Sequence, residues 1–413
     1  MSKINKFLVM FKWLYPGMRV KRWILLSAFG VLLVVFGSAR FEPEPLMIVK
    51  VLYGIVVASG VILLVLGIKR MLRSFLMIFL PHRDTAFIDL MYKKRQLERG
   101  PRIVTVGGGT GLSVILSGLK EYTSNITAIV TVADSGGSSG RLREQFDMLP
   151  PGDIRNCLVA LADAPVLMRD LFQFRFNKNS EFSGHNFGNL FITVMTQLTG
   201  DFEKAIKESS KVLAIRGQVI PSTLNNVALV AQYKDGSSIK GEDQIPRHNI
   251  PIEKVCLEPE NPAPAQEAIK AINEAQIIIL GPGSLYTSVI PNLLIKEITD
   301  AVVASDAIKI YVCNIMTQYG ETDNYTACDH LDAIIKHSYP KILDYCIVNS
   351  SHLPQELIDR YRQEKSYPIV IDSRRMRALG YRVIEDEIVT TQDYIRHDPA
   401  KLAKIILGLI EEV

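Results

Sequence analysis

The sequence predicts an α/β protein, a doubly wound, mostly parallel sheet preceded by an N-terminal transmembrane helical hairpin. Three observations lead there. Short apolar, β-branched runs recur from residue 103 onward, each the length of a strand buried on both faces. Several of them end in glycine-rich turns that open onto helical spacing, as a βαβ unit does. The first 80 residues hold two long apolar stretches with basic flanks, the pattern of bilayer-crossing helices.

At the start of the chain, residues 23–39 and 51–68 are almost unbroken apolar sequence. At about 1.5 Å per residue each spans roughly 25–27 Å, close to the ~30 Å core of a bilayer. Between them, the Phe-Glu-Pro-Glu-Pro run at 41–45 has room only for a tight outer loop. Lys3, Lys6, Lys12, Arg19, Lys21 and Arg22 precede the first stretch, and Lys69, Arg70 and Arg73 follow the second. The positive-inside rule then puts both termini and the main domain in the cytoplasm, anchored to the cytoplasmic membrane. Small residues at Gly37-Ser38-Ala39 suit a cleaved signal peptide instead, but a second apolar run followed by basic residues argues against it. The expected organisation is a membrane anchor over 1–80, a linker over 81–100 and one domain over 101–413. Residues 71–80 look amphipathic, either lying along the membrane surface or forming a linker helix.

Composition divides at the same place. Hydrophobic residues make up 48% of the chain, with the excess near its start. Residues 1–100 hold 16 basic and 5 acidic residues, which leaves 31 and 38 for 101–413. An acidic main domain without a basic stripe excludes nucleic acid as a partner. Five scattered cysteines with no C-x-x-C pair indicate neither disulfides nor a zinc site, in keeping with a reducing compartment.

In the main domain, residues 103–106 read as the first strand, and Gly107, Gly108, Gly109, Thr110 and Gly111 follow before helical spacing begins at Leu112. The pattern G-x-G-x-G matches neither the dinucleotide fingerprint nor a P-loop. Glycines still let backbone amides approach a phosphate at a helix N-terminus. A second strand over 126–132 leads to Asp134, placed 23 residues after Gly111 to accept ribose or sugar hydroxyls. Ser135, Gly136, Gly137, Ser138, Ser139 and Gly140 follow as a loop of anion donors beside Arg141 and Arg143. Asp153, after Pro151-Gly152, is either a helix N-cap or a carboxylate that serves as base or magnesium ligand. His185, Asn186 and Asn189 at the start of another helix suit recognition of a base or sugar. Residues 214–257 carry strand signals with Asp235-Gly236 as a hairpin turn. A strand over 277–280 closes on Gly281, Pro282, Gly283 and Ser284, a second phosphate cradle. Strands are expected over 308–313, 345–348 and 369–371, with Asn314 and Thr317 after the first of these, and a closing helix over 399–410. No catalytic triad, metal-ligand cluster or reactive cysteine stands out.

Six ordered motifs carry a family resemblance: V-G-G-G-T-G, V-A-D-S-G-G-S-S-G-R-L-R, P-P-G-D-I-R-N, G-H-N-F-G-N, L-G-P-G-S-L-Y-T-S and C-N-I-M-T-Q-Y-G-E-T. From about Arg102 to its end the chain resembles the bacterial gluconeogenesis factor family, in the superfamily of the 2-phospho-L-lactate transferase of coenzyme F420 synthesis. The resemblance implies a Rossmann-like domain that binds UDP-sugars, UDP-N-acetylglucosamine in particular, and acts in cell shape and cell-wall synthesis on gluconeogenic carbon sources. Asp134, Asp153, His185, Asn186, Asn189 and the glycine turns match the family's binding motifs. Expected partners are the nucleotide sugar, the membrane and cell-wall synthesis or regulatory proteins, with self-association left open. No cofactor is assigned, though magnesium is compatible. The hairpin departs from the pattern, since many members look wholly soluble. The alternative is a metal-dependent transferase moving a phospholactyl-type group from a nucleotide carrier to an acceptor hydroxyl. An NAD-dependent oxidoreductase fits less well, because no second half for nicotinamide and substrate is found.

Overall fold

The computed structural model describes residues 21–39, 47–79, 92, 94–177, 181–391 and 394–411, in two units, Met1–Lys93 and Lys94–Val413. In the first unit, α1 (Lys21–Ala39) and α2 (Met47–Phe79) pack side by side. Small residues set how closely they approach: a Cβ on Gly30 would stand 2.7 Å from the Gly60 carbonyl oxygen, and one on Gly60 would stand 2.8 Å from that of Gly30. Apolar helices associate through such small-residue contacts where lipid removes any hydrophobic drive. Their outer faces remain apolar, with Leu25, Leu32, Ile48 and Ile62 58–74% exposed. Both helices are long and apolar enough to cross a membrane. Arg22 and Arg70 lie over the Trp23 ring, 5.2 and 4.8 Å from its centroid. Residues 71–79 continue α2 and form no separate surface helix. Residue 80, the 41–45 loop and the basic residues at 3–19 fall outside the described residues, as does most of the expected linker.

The second unit is built on a seven-stranded sheet. Its strands are β1 (Ile103–Gly107), β2 (Ile126–Val130), β3 (Gln218–Pro221), β7 (Ile277–Leu280), β8 (Ile308–Val312), β9 (Tyr345–Asn349) and β10 (Arg382–Asp386). They lie in the order β10-β9-β8-β7-β1-β2-β3, with every neighbouring pair parallel. Every residue of β1, β2 and β7 is buried, because helices cover both faces of the sheet. The chain runs outward from β1 to β3, then returns to the other side of β1 as β7. Between β1 and β7 the winding therefore reverses, the place where doubly wound sheets open a crevice.

The crossover from β3 to β7 contains a small antiparallel sheet, β5-β4-β6, made of β4 (Ala228–Tyr233), β5 (Ser238–Lys240) and β6 (Ile252–Glu258). β4 alternates half-buried and buried residues, as a strand with one covered face should. The expected hairpin turn is present, with Gly236 at φ +86°. One expected strand is not. Residues 369–371 make only one isolated bridge, Val370 with Thr326, and the sheet edge is β10 instead. Three of the five residues of β10 are charged, so it lacks the apolar run that marks a buried strand.

Five helices frame the crevice: α3 (Gly109–Leu119), α4 (Gly137–Phe146), α5 (Gly152–Leu161), α6 (Val166–Gln173) and α7 (Phe187–Thr199). The closing helix Pro399–Glu411 packs on α3. The stretch expected as a glycine-serine loop is mostly helical, because α4 begins at Gly137.

Candidate functional site

Two glycine turns meet where the winding reverses. After β1, Gly108 is extended and Gly109 takes φ +65°, a left-handed conformation that favours glycine. After β7, Gly281 lies at φ +73° and a π-helical turn, Leu285–Val289, follows. The turns touch: a Cβ on Gly111 would be 2.6 Å from the Pro282 carbonyl oxygen, and one on Gly108 would be 2.5 Å from Oδ2 of Asp153. Asn314, past the end of β8, clamps the second turn. Its Oδ1 accepts the Gly283 N–H at 3.2 Å and its Nδ2 donates to the Gly283 carbonyl at 2.9 Å. Gln318 Nε2 donates to Ser284 Oγ at 2.7 Å.

Carboxyl groups gather beside these turns. Asp134, just past β2, accepts the Gly136 N–H at 2.9 Å, and burial raises its pKa. Asp153 is not an N-cap, since Pro151 holds that position in α5. Its carboxylate instead accepts the Gly109 N–H, and burial, reinforced by Asp134, pushes it up to about 6. Glu242, in the loop after β5, is pushed up to about 8 by burial and then by Asp134, Glu321 and Asp153. Burial pushes Glu321 up to about 7; Thr287 donates to its Oε1 at 3.4 Å, while its buried Oε2 has no partner. None of the four is ion-paired among the described residues. Nor, among those residues, do three or more His, Cys, Asp or Glu side chains group as a metal would need.

A cleft of about 930 Å³ opens over the turns. Of the residues singled out from sequence, Gly108, Gly109, Thr110, Gly111, Asp134, Asp153, Gly283, Ser284 and Asn314 line it. Gly281 shapes the second turn from behind. The remainder hold the frame. Ser138 Oγ meets His185 Nδ1 at 3.1 Å and accepts from Asn189 Nδ2 at 3.2 Å, which ties α4 to α7. Asn186 caps α7, accepting the Asn189 N–H at 3.3 Å and donating to the Gln173 carbonyl at 2.9 Å. His185, Asn186 and Asn189 are therefore joints in the frame and not walls of the cleft. Ser135 Oγ donates to Asp243 at 2.9 Å, Ser139 bonds Asp134, and Arg141 reaches the Ser183 carbonyl at 3.1 Å. Thr317 exchanges bonds with the Tyr367 backbone at 2.7 and 2.9 Å.

Sequence reasoning missed other parts of the cleft. Glu242 comes from the antiparallel insert, where no strand-end pattern marks it. Lys120 and Arg169 also line the cleft, as do Tyr361, Tyr394 and His397. His397 meets the Cys313 carbonyl at 3.1 Å, and burial pushes its pKa down to about 4, so it is neutral.

The family model for 2-phospho-L-lactate transferase CofD matches residues 103–389. The gluconeogenesis factor of Bacillus subtilis (strain 168) is 49% identical over 313 residues, 76% of this chain and 99% of its own length. A relative from Nostoc sp. is 46% identical over 418 residues, covering 96% of this chain and 92% of its own. Among solved structures, a UPF0052 family member from Bacillus halodurans matches with a TM-score of 0.73 at 46% identity, covering 75% of this chain and 99% of that one.

Proposed function

The chain belongs to the gluconeogenesis factor family, whose fold is that of the CofD-like transferases, and on that premise we propose that its Rossmann-like unit binds a nucleotide sugar, UDP-N-acetylglucosamine in particular. The bound form regulates cell shape and cell-wall synthesis during growth on gluconeogenic carbon sources. The observation that carries this reading is the meeting of two glycine turns at the switch point, above a cleft of ligand size. Amides of the first turn and the N-terminus of α3 suit a diphosphate. Asp134 and Asp153 suit sugar hydroxyls, which need acceptors. Magnesium is commonly held by one or two carboxylates plus phosphate oxygens, so these two residues are its candidate ligands once the nucleotide is present. The apolar hairpin anchors the unit at the cytoplasmic membrane, with both termini inside, close to its partners in wall synthesis.

One observation favours a second reading. The Asp153 carboxyl, pushed up to about 6 beside the phosphate turn, suits a general base. In a transferase it would take the proton of an acceptor hydroxyl, whose oxygen attacks the phosphorus of a phospholactyl-type group as a nucleoside monophosphate leaves. The test incubates the full chain in detergent with UDP-N-acetylglucosamine, magnesium and membrane extract, measuring binding by calorimetry and then analysing the nucleotide. Tight binding with the nucleotide intact supports the regulator. Asp153-dependent release of UDP or UMP replaces it with the enzyme, and absence of binding removes both.

A further inference from the structure

We propose that the arm of the cleft running along α3 ends in a second anion site, built by Lys120 and Arg169, that takes a phosphate monoester or a carboxylate. Ser113, Val114, Ser117 and Lys120 recur at three- and four-residue spacing, so they share the face of α3 that walls this arm. Lys120 lies 11 residues beyond Gly109, about 16 Å along a helix, too far for one diphosphate to touch both ends. Val166, Arg169 and Gln173 of α6 form the facing wall.

Both cations have unused donors. Lys120 is only 8% exposed, and its ammonium donates to the Ala162 carbonyl at 2.8 Å. An ammonium carries three N–H groups, so two remain. Arg169 has its Nε buried without a partner. Burial lowers the Lys120 pKa, Asp163 raises it and Arg169 lowers it, so the two cations are close enough to oppose each other. Asp163 and Glu121 raise the Lys120 pKa and so offset part of this, but both acids are shared with a third cation. Asp163 is paired with Arg216 at 2.7 Å, and Arg216 also reaches Glu121 at 3.7 Å. Asp170, beside Arg169 on the same arm, is exposed. A bound anion would neutralise the opposed charges and supply acceptors for the remaining Lys120 donors. The arm thus ends in positive charge, whereas Asp134, Asp153 and Glu242 surround the glycine turns.

The site shares a cleft with the proposed nucleotide sugar, and the test separates the two. Inorganic phosphate is titrated into the full chain in detergent against chloride at equal ionic strength, with thermal midpoint as the readout. Wild type is expected to rise. Arg169→Gln should need about tenfold more phosphate for the same rise, while Arg169→Lys should keep most of it. Gly109→Val should also respond, because that turn lies at the other end of the arm. Equal responses from wild type and folded Arg169→Gln would overturn the proposal, as would a response lost in Gly109→Val and retained in Arg169→Gln. UDP-N-acetylglucosamine titrated into Arg169→Gln then identifies the source: weakened binding makes the anion a group of that ligand, and unchanged binding makes it a separate metabolite. Arg169-dependent phosphate binding in a protein that ignores all nucleotide sugars would leave this site standing and remove the reading above.

Discussion

Asp153, Glu321 and Glu242 hold their protons to about pH 6, 7 and 8, each above the value of an isolated carboxyl. A raised acid pKa means that the folded chain binds more protons than the unfolded one, so the stabilising contribution is complete below the unfolded pKa, roughly pH 4, and is lost as pH rises through the folded value. The ligand-free chain should therefore lose thermal stability between pH 5 and pH 8. Glu321→Gln keeps an acceptor for Thr287 but cannot ionise, so its midpoint should fall less over that window, by about 2 °C or more. Equal slopes for variant and wild type in a pH series of melting curves would show that Glu321 does not titrate there. Gly109→Val places a branched side chain at φ +65°, against the amides that should meet a diphosphate. UDP-N-acetylglucosamine binding should weaken at least tenfold, about 1.4 kcal/mol, by calorimetry on a folded variant. At this scale the sequence was legible where a residue type has one cheap use. The glycines after β1 and the Asp134 carboxylate, four residues past β2, line the cleft. Ser138, Asn186 and Asn189 do not, because hydroxyl and amide groups serve equally well as internal joints, and only the packing of α4 on α7 decides between those uses.

The elements supply rigidity. The second glycine turn does not stand alone, since Asn314 holds both the backbone N–H and the carbonyl of Gly283. Asn314→Ala removes both bonds and should cost about 1–3 kcal/mol, measured by chemical denaturation. Nucleotide-sugar affinity should fall with it, and unchanged affinity would show that the turn keeps its shape unaided. Strands buried on both faces were readable because they leave unbroken apolar runs, as in β1, β2 and β7. The edge strand β10 was not, since one neighbour suffices to form it and its exposed residues are free to be charged. The first turn of α4 was hidden by Gly137, Ser138, Ser139 and Gly140, poor helix formers held in place by their surroundings. Glu242 escaped notice for a related reason: a loop in an inserted sheet reaches the cleft only through the tertiary fold.

For the whole molecule, the proposed topology makes a direct prediction. A cysteine at position 44, in the loop between the apolar stretches, should react with an impermeant maleimide added to intact cells, and one at position 94 should not. Labelling at position 94, or a mature chain that begins near residue 40, would replace the anchor with a different arrangement. The chain divides into two compact units at residues 93 and 94, after the two long apolar stretches that stand out in the sequence. The parallel pairing of β1 with β7 carries a further consequence, one of timing. Ile103 pairs with Ile277, so the central seam of the sheet joins residues 174 positions apart. A ribosome adding about 5–20 residues per second makes the first turn on the order of ten to thirty seconds before its counterpart exists. During that interval β1 can pair with β2 alone and leaves an open edge, so a nascent or truncated chain lacks half of the crevice. The proposed ligand therefore has both turns to bind only once the chain has passed β7, and a chain interrupted before that point should lack the site.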